Sequence, residues 1–313
     1  MDMKHCLLRR LLGLVPLLLG ISFLSFVLIQ LSPGDPAEVA IRVNDQTPTP
    51  ELLAEVRTQL GLDRPFPERY LRWLADVVRG DLGTSYVNGR PVAGELARAL
   101  PPTLMLAGTA AVIMLACSLA VALVCVRHEG RGVDRLLRAL LFLGTSVPAF
   151  WAGLLLIWLF SVHLDWLPTG SLEGPSSLVL PAVTLALPYL AAYARLLRNS
   201  MVQTAQEDFV LYARACGRSR GAILHMVLRN SLQASLTALG MSLPKLVAGS
   251  FVVECIFAWP GLGRLCVTAI FNRDLPVIQA YVLLMAVLFV AGNLCMDICA
   301  GLLDPRLRER GLR

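Results

Sequence analysis

The chain has 313 residues, 56% of them hydrophobic and 16% charged, with a formal net charge of +6. Soluble domains carry about 25% charged residues, so this composition excludes a soluble globular protein and fits one that crosses a membrane several times. The positive excess sits beside apolar runs and forms no basic face with aromatic interleaving, which excludes a nucleic-acid-binding domain.

Six apolar stretches approach the roughly 20 residues that span hydrocarbon: 11–31, 103–126, 139–162, 178–194, 231–253 and 277–303. In lipid each must satisfy its own backbone, and none carries the turn punctuation of barrel strands, so an all-α polytopic protein with six transmembrane helices is predicted. The first run is longer than the h-region of a signal peptide and no small-x-small site follows it, so it is expected to remain as an anchor. Residues 32–102 form the one large extramembrane segment. Pro48 and Pro50 introduce a helix over 51–60 closed by Gly61, and a second helix over 67–79 is closed by Gly80.

Between the fourth and fifth runs lies a polar, helix-forming insert, residues 204–230. Phe209, Tyr212, Ala213 and Cys216 recur at i, i+3, i+4 and i+7, the stripe of a helix that asks for a partner. Ala213 and Ala215 are small enough for another backbone to come close, and Gly217 suits the left-handed position after a helix end. Ser219 is placed to cap a second short helix over 222–228. The insert thus reads as a two-helix docking element held out of the bilayer. After the fifth run, residues 257–264 are turn-rich, with Trp259 expected at the lipid headgroup level.

Lys and Arg beside the spans set the orientation. Lys4, Arg9 and Arg10, then Arg127, Arg131, Arg135 and Arg138, then Arg195, Arg198, Arg214, Arg218, Arg220 and Arg229, then Arg306, Arg308, Arg310 and Arg313 mark alternate connections. Both termini and the insert are therefore expected in the cytoplasm. The opposite connections are poorer: residues 165–177 hold no Lys or Arg, and residues 32–102 hold eight Arg against ten acids, a net of −2. The domain reading is a cytoplasmic N-terminus with first span (1–31), an extracytoplasmic segment (32–102), a five-helix core with its loop (103–303) and a cytoplasmic tail (304–313).

Little in the chain points to chemistry of its own. No Gly-x-x-x-x-Gly-Lys-Ser/Thr phosphate loop is present, and Gly261-Leu262-Gly263-Arg264 lacks a preceding strand and a third glycine. His5, His128, His163 and His225 are scattered, so no metal site is assigned, and no nucleophile faces a base. A charge at mid-bilayer costs about 2.5 to 3.5 kcal/mol on insertion scales. Lys245, beside Pro244, is therefore a candidate for the translocation path or for a hydrogen bond to a neighbouring subunit. Glu254 and Asp297 either join that path or snorkel to the interface. Met241 is a further candidate for the path, and with Cys255, Met285, Cys295, Met296 and Cys299 it offers soft side chains to a metal, Cys295 and Cys299 sharing a helix face, although packing is the commoner role. Cys255 and Cys266 bracket Pro260-Gly261; no Cys-x-x-Cys exists, and no disulfide framework is expected.

The blocks Asp208-Phe209-Val210 with Ala213-Arg214-Ala215-Cys216-Gly217-Arg218-Ser219 and Leu228-Arg229-Asn230 resemble the loop by which permease subunits of ATP-binding-cassette importers grip their ATPases, in the peptide and nickel branch. The resemblance runs nearly the full length through Leu31-Ser32-Pro33-Gly34-Asp35-Pro36, Gly61-Leu62-Asp63 with Tyr70, Trp73 and Gly80-Asp81-Leu82-Gly83, Ser146-Val147-Pro148-Ala149-Phe150-Trp151, Arg195-Leu196-Leu197-Arg198, Trp259-Pro260-Gly261-Leu262-Gly263-Arg264, Arg273-Asp274-Leu275-Pro276-Val277-Ile278-Gln279 and Asp304-Pro305-Arg306. It departs at Ala234, where the family usually has proline, and at Cys216, where a basic residue is customary.

The resemblance implies a type I importer permease fold in the bacterial inner membrane. It also implies a second homologous permease, two ATP-binding subunits that hold the ATP, and an extracytoplasmic solute-binding protein as partners. Asp208, Phe209, Tyr212, Ala213, Arg214, Ala215, Gly217 and Ser219 would be the coupling residues. Pro48-Thr49-Pro50-Glu51, Ala258 before Trp259, and Ala269-Ile270-Phe271-Asn272 next to Arg273 look more like nickel permeases than peptide permeases. Nickel or a metal–chelator complex is therefore the expected cargo, with di- or oligopeptides as the alternative. An ion-coupled secondary transporter is the rival of another class; it would need coupling charges at mid-span, where Lys245 stands alone.

Overall fold

The computed structural model describes residues 3–31, 35–43 and 47–303, with side chains described except at 3–12, 14, 145, 233–243 and 296–303. In chain order the helices are α1 (Met3–Gln30), α2 (Pro36–Val43), α3 (Pro50–Gln59), α4 (Phe66–Val78), α5 (Val92–Arg127), α6 (Gly132–Ser146), α7 (Ala149–Leu156), α8 (Val179–Ala205), α9 (Asp208–Ala215), α10 (Arg220–Ile256), α11 (Leu262–Phe271) and α12 (Leu275–Leu303). Among the described residues the only extended pairing is an isolated bridge between Thr84 and Pro91. The chain divides into two compact units, residues 1–102 with 260–290, and residues 103–259 with 291–313.

In the first unit α4 lies on α1 through a cluster of rings. Phe26 meets Phe66, Tyr70 and Trp73 at centroid distances of 5.4, 5.5 and 5.7 Å, within the range of favourable edge-on and tilted aromatic pairs. The Ser22 and Tyr70 hydroxyls share a hydrogen bond of 2.9 Å beside it. A second core joins Val92, Leu96 and Ala99 of α5 to Leu262 and Ala269 of α11 and to Val277 and Ala280 of α12. Asp274, buried just before α12, accepts from the Ser85 hydroxyl and, at 3.0 Å, from the Tyr86 amide, which pins the turn between α4 and α5 to the start of α12.

In the second unit Leu106, Ala110 and Met114 of α5, Leu185 of α8, Leu246 of α10, Phe257 and Trp259 form one core. Glycines set two close approaches. A Cβ on Gly153 would stand 3.1 Å from Thr184 Cγ2, where α7 meets α8, and one on Gly249 would stand 3.0 Å from the Tyr189 hydroxyl, where α8 meets α10.

Several expectations change. The run 139–162 is not one straight span: Val147 is extended (φ −85°, ψ 123°) because Pro148 disfavours the helical region for the residue before it. The segments Gly132–Gly144 and Ala149–His163 meet at 104°, the second ending in a π-helical turn, Ile157–His163. Trp259 is fully buried in the core of the second unit, so its ring packs on protein and does not face lipid headgroups. Helices α2 and α11 are additions, the latter occupying part of a piece expected to be turn. Among the described residues three helices are long and apolar enough to cross a membrane: Val92–Arg127, Pro175–Ala205 and Leu275–Cys295. The bent pair makes a fourth if counted as one.

Candidate functional site

The insert between α8 and α10 is built from two caps. Helix α9 ends in paired hydrogen bonds, Arg218 N to Ala213 O at 3.1 Å and Gly217 N to Arg214 O at 3.0 Å, with Gly217 at φ +71°. This closure needs a left-handed residue, which glycine supplies without a Cβ penalty. Two residues later Ser219, extended at ψ 150°, accepts from the Ala222 amide at 3.3 Å and starts α10. The expected closing glycine and capping serine are thus both in place.

The second helix, however, is no short piece over 222–228. Helix α10 runs unbroken for 37 residues from Arg220 to Ile256, with Pro244 within it, a length of roughly 55 Å at 1.5 Å per residue. The element predicted for docking and the fifth predicted span are one rod, with α9 hinged to its end by Cys216-Gly217-Arg218-Ser219.

The face that α9 offers also differs from the expected stripe. Val210 is buried and Phe209 partly buried, packed with Ala122, Tyr193, Leu197, Met201 and Val227 of α5, α8 and α10; Ala213 is buried too. Tyr212 and Leu211 are instead 73% and 67% exposed, and Asp208, Arg214, Ala215 and Cys216 are exposed too. The outward stripe is Asp208, Leu211, Tyr212 and Ala215, again at i, i+3, i+4 and i+7 but one residue earlier in phase. Tyr212 belongs to both stripes; Phe209 and Ala213 turn inward as anchors. Val210, as apolar as Leu211, was the signal that could have set the phase.

Polar contacts tie the rod to α8. Ser200 Oγ donates to Ser231 O at 3.2 Å, and the Tyr189 hydroxyl donates to Lys245 O at 2.9 Å. Helix α6 is tied to α8 by Arg198, whose Nε and Nη2 donate to the two carboxylate oxygens of Asp134 at 3.0 and 2.9 Å. Asp134 is fully buried. Sequence reasoning placed Arg198 among the topological charges and in the Arg195-Leu196-Leu197-Arg198 block; its bidentate partner lies 64 residues away, beyond the reach of local pattern.

Among the candidate path residues, Lys245 has an exposed side chain on α10. Glu254 is fully buried, accepting from Thr103 Oγ1 at 2.7 Å and Ser250 Oγ at 2.8 Å, so its carboxylate is held by hydroxyl donors from α5 and its own helix instead of snorkelling. The side chains of Met241, Met296, Asp297 and Cys299 lie outside the described residues, as do residues 32–34 and the tail from 304. Neither Cys255 nor Cys266 is in a disulfide. Among the described residues no three His, Cys, Asp or Glu converge on a common point.

A family model described as "Binding-protein-dependent transport system inner membrane component" matches residues 112–309, and its N-terminal companion, "Binding-prot-dependent transport system membrane comp, N-term", matches residues 3–107. The chain is 40% identical over 305 residues to the metal-staphylopine import system permease protein CntB of Staphylococcus aureus, covering 97% of this chain and 98% of that one. It is 39% identical over 309 residues to the glutathione transport system permease protein GsiC of Salmonella paratyphi A, covering 98% and 100%. Among solved structures, inward facing conformations of the MetNI methionine ABC transporter match with a TM-score of 0.57 at 18% identity, over 67% of this chain and 96% of that one, a likeness of fold. Covered almost end to end by the two models together, the chain belongs to the inner-membrane permease components of binding-protein-dependent ABC importers, in the peptide and nickel branch.

Proposed function

We propose that this chain is one permease half of an importer whose cargo is nickel or a metal–chelator complex. It pairs with a second homologous permease, receives cargo from an extracytoplasmic solute-binding protein and is driven by two ATP-binding subunits. The chain crosses the inner membrane six times with both termini and the α9 elbow in the cytoplasm, as the alternation of basic connections requires. The observation that carries the mechanism is the outward stripe of α9 joined to the unbroken α10. A motor that closes on binding ATP pulls at Leu211 and Tyr212; Val210 and Ala213 pass the pull to the core beneath, and α10 carries it the depth of the membrane. Cargo and ATP favour different ends of this movement, which is what couples them.

Support for the cargo comes from the motif details around Pro48, Ala258 and Arg273 and from the likeness to a metal-staphylopine permease. The likeness to a glutathione permease favours a second reading, a peptide-type cargo on the same scaffold. Uptake of radioactive nickel, free and chelated, by cells with and without this chain separates the two. Loss of uptake on deletion is expected; peptide-dependent growth lost with nickel uptake unchanged would reject the metal reading.

A further inference from the structure

Helix α4 sorts its side chains into three stripes. Phe66, Tyr70 and Trp73, at i, i+4 and i+7, pack on Phe26 of α1, and Phe66 and Tyr70 also meet Phe23 at 6.1 and 5.3 Å. Glu68, Arg69, Arg72, Asp76 and Arg79 share the charged side. Glu68 holds Arg72 at 2.9 Å, and Arg69, Arg72 and Asp76 line a hollow of about 480 Å³ together with Gln30 and Asp81. Leu71, Leu74 and Val78, at i, i+3 and i+7, form the third stripe, which carries no charge; Leu71 is 62% and Val78 81% exposed. A helix so divided has the pattern of one that lies along a membrane.

The seat of α4 on α1 fixes what surrounds the open stripe. The Tyr70 hydroxyl lies 2.9 Å from Ser22 Oγ and 3.4 Å from Leu19 O. Measured from Leu31, where the first apolar run ends, these contacts lie roughly 13 to 18 Å back along α1 at 1.5 Å per residue. That is well within a hydrocarbon core about 30 Å thick. Phe23 is itself exposed, so the outward apolar surface of α1 reaches the seam with α4. A charge facing lipid is costly, and α4 turns its charged side to the hollow instead.

From this arrangement we infer that α4 lies in the outer leaflet against α1, with Leu71, Leu74 and Val78 in contact with phospholipid acyl chains and its charged side facing a hollow open to water. A helix that the sequence places outside the membrane is thereby a lipid-binding element of the permease. The inference rests on α1 being the first span with its C-terminal end outside, and it is independent of the cargo and of the α9 lever.

The test is photolabelling of the unaltered chain, alone and in the assembled importer. Proteoliposomes of phosphatidylethanolamine and phosphatidylglycerol would carry a phospholipid with a trifluoromethyl-aryl diazirine on its acyl chain, and labelled residues would be mapped by mass spectrometry. Leu71, Leu74 and Val78 are expected to carry the label in both preparations, and the exposed Leu24 and Leu28 of α1 in the chain alone. Arg69, Arg72 and Asp76 are expected to carry none. Label on α1 with none on α4 would overturn the inference and leave the first span standing, whereas no label on either would remove both. Label on α4 that is present in the chain alone and lost in the importer would make the stripe a protein-docking face, which also overturns the inference.

Discussion

Left-handed residues close helices at three places that matter here, and they are not equivalent. Helices α9, α10 and α11 end in the same paired hydrogen-bond motif, with Gly217, Ala258 and Arg273 at φ +71°, +50° and +54°. A side chain in that region costs about 1 to 2 kcal/mol. Gly217→Ala is therefore expected to lower stability by about 1 kcal/mol, whereas Ala258→Gly is expected to leave it unchanged or raise it slightly, the relieved strain being offset by unfolded-chain entropy. Thermal unfolding in detergent checks both. Gly170 is stricter still: a Cβ there would lie 2.0 Å from Phe257 O, a backbone atom that cannot swing aside. Gly170→Ala is expected to cost roughly 1 to 3 kcal/mol, visible in the same melts.

Tyr86 gives a pH signature. Burial pushes its phenol up to about 12, helped by the nearby Asp274 charge and opposed by Arg69. The folded value lies above the ordinary 10.0, so the stability this group contributes is held in full below pH 10.0 and lost as pH rises towards about 12. Absorbance titration at about 295 nm of the chain and of Tyr86→Phe should differ little at about pH 11, where ordinary tyrosines are mostly ionised. A full phenolate difference at that pH would contradict the burial argument.

At the scale of elements, the Asp134–Arg198 pair is the clearest mechanical joint between α6 and α8. Breaking one side leaves a buried charge alone, so Asp134→Asn is expected to destabilise by roughly 3 to 5 kcal/mol. Replacing both residues with apolar ones should cost less than the sum of the single changes, as a double-mutant cycle would show.

What the sequence made legible at this scale was local punctuation. Gly61, Gly80, Gly217 and Ser219 closed or opened helices where expected, because a left-handed turn or a side-chain cap is a property of a few neighbouring residues. What it hid depended on tertiary context. Trp259 has the composition of a headgroup anchor, yet it is buried because Phe257 and the core of α5 and α8 fill in around it. The stripe on α9 was misphased by one residue because two stripes of the same period overlap at Tyr212, and only the packing of Val210 on Tyr193 and Leu197 chooses between them. Pro148 was read as part of a motif but not as a break, although its effect on Val147 was available from backbone sterics alone.

For the molecule as a whole, the proposed docking face of α9 is joined to an unbroken α10, which on that proposal serves as the lever. Stiffness of that rod then matters more than sequence in its middle. Gly217→Pro removes the Gly217 amide that closes α9 onto Arg214 O and forbids φ +71°. In proteoliposomes with the ATP-binding subunits, this variant is expected to insert normally while cargo uptake per ATP hydrolysed falls severalfold. Unchanged coupling would count against the lever. On the proposed topology, the Lys and Arg that flank the spans and underlie the net charge of +6 fall on the cytoplasmic connections.

The most direct test places a photoreactive side chain at single positions along α9 in the assembled importer. Substitution at Tyr212 or Ala215 is expected to capture an ATP-binding subunit, while substitution at Val210 or Ala213 captures only this chain. Capture from the buried positions and none from Tyr212, or labelling of Ser219→Cys by a membrane-impermeant thiol reagent outside intact cells, would contradict a cytoplasmic docking face.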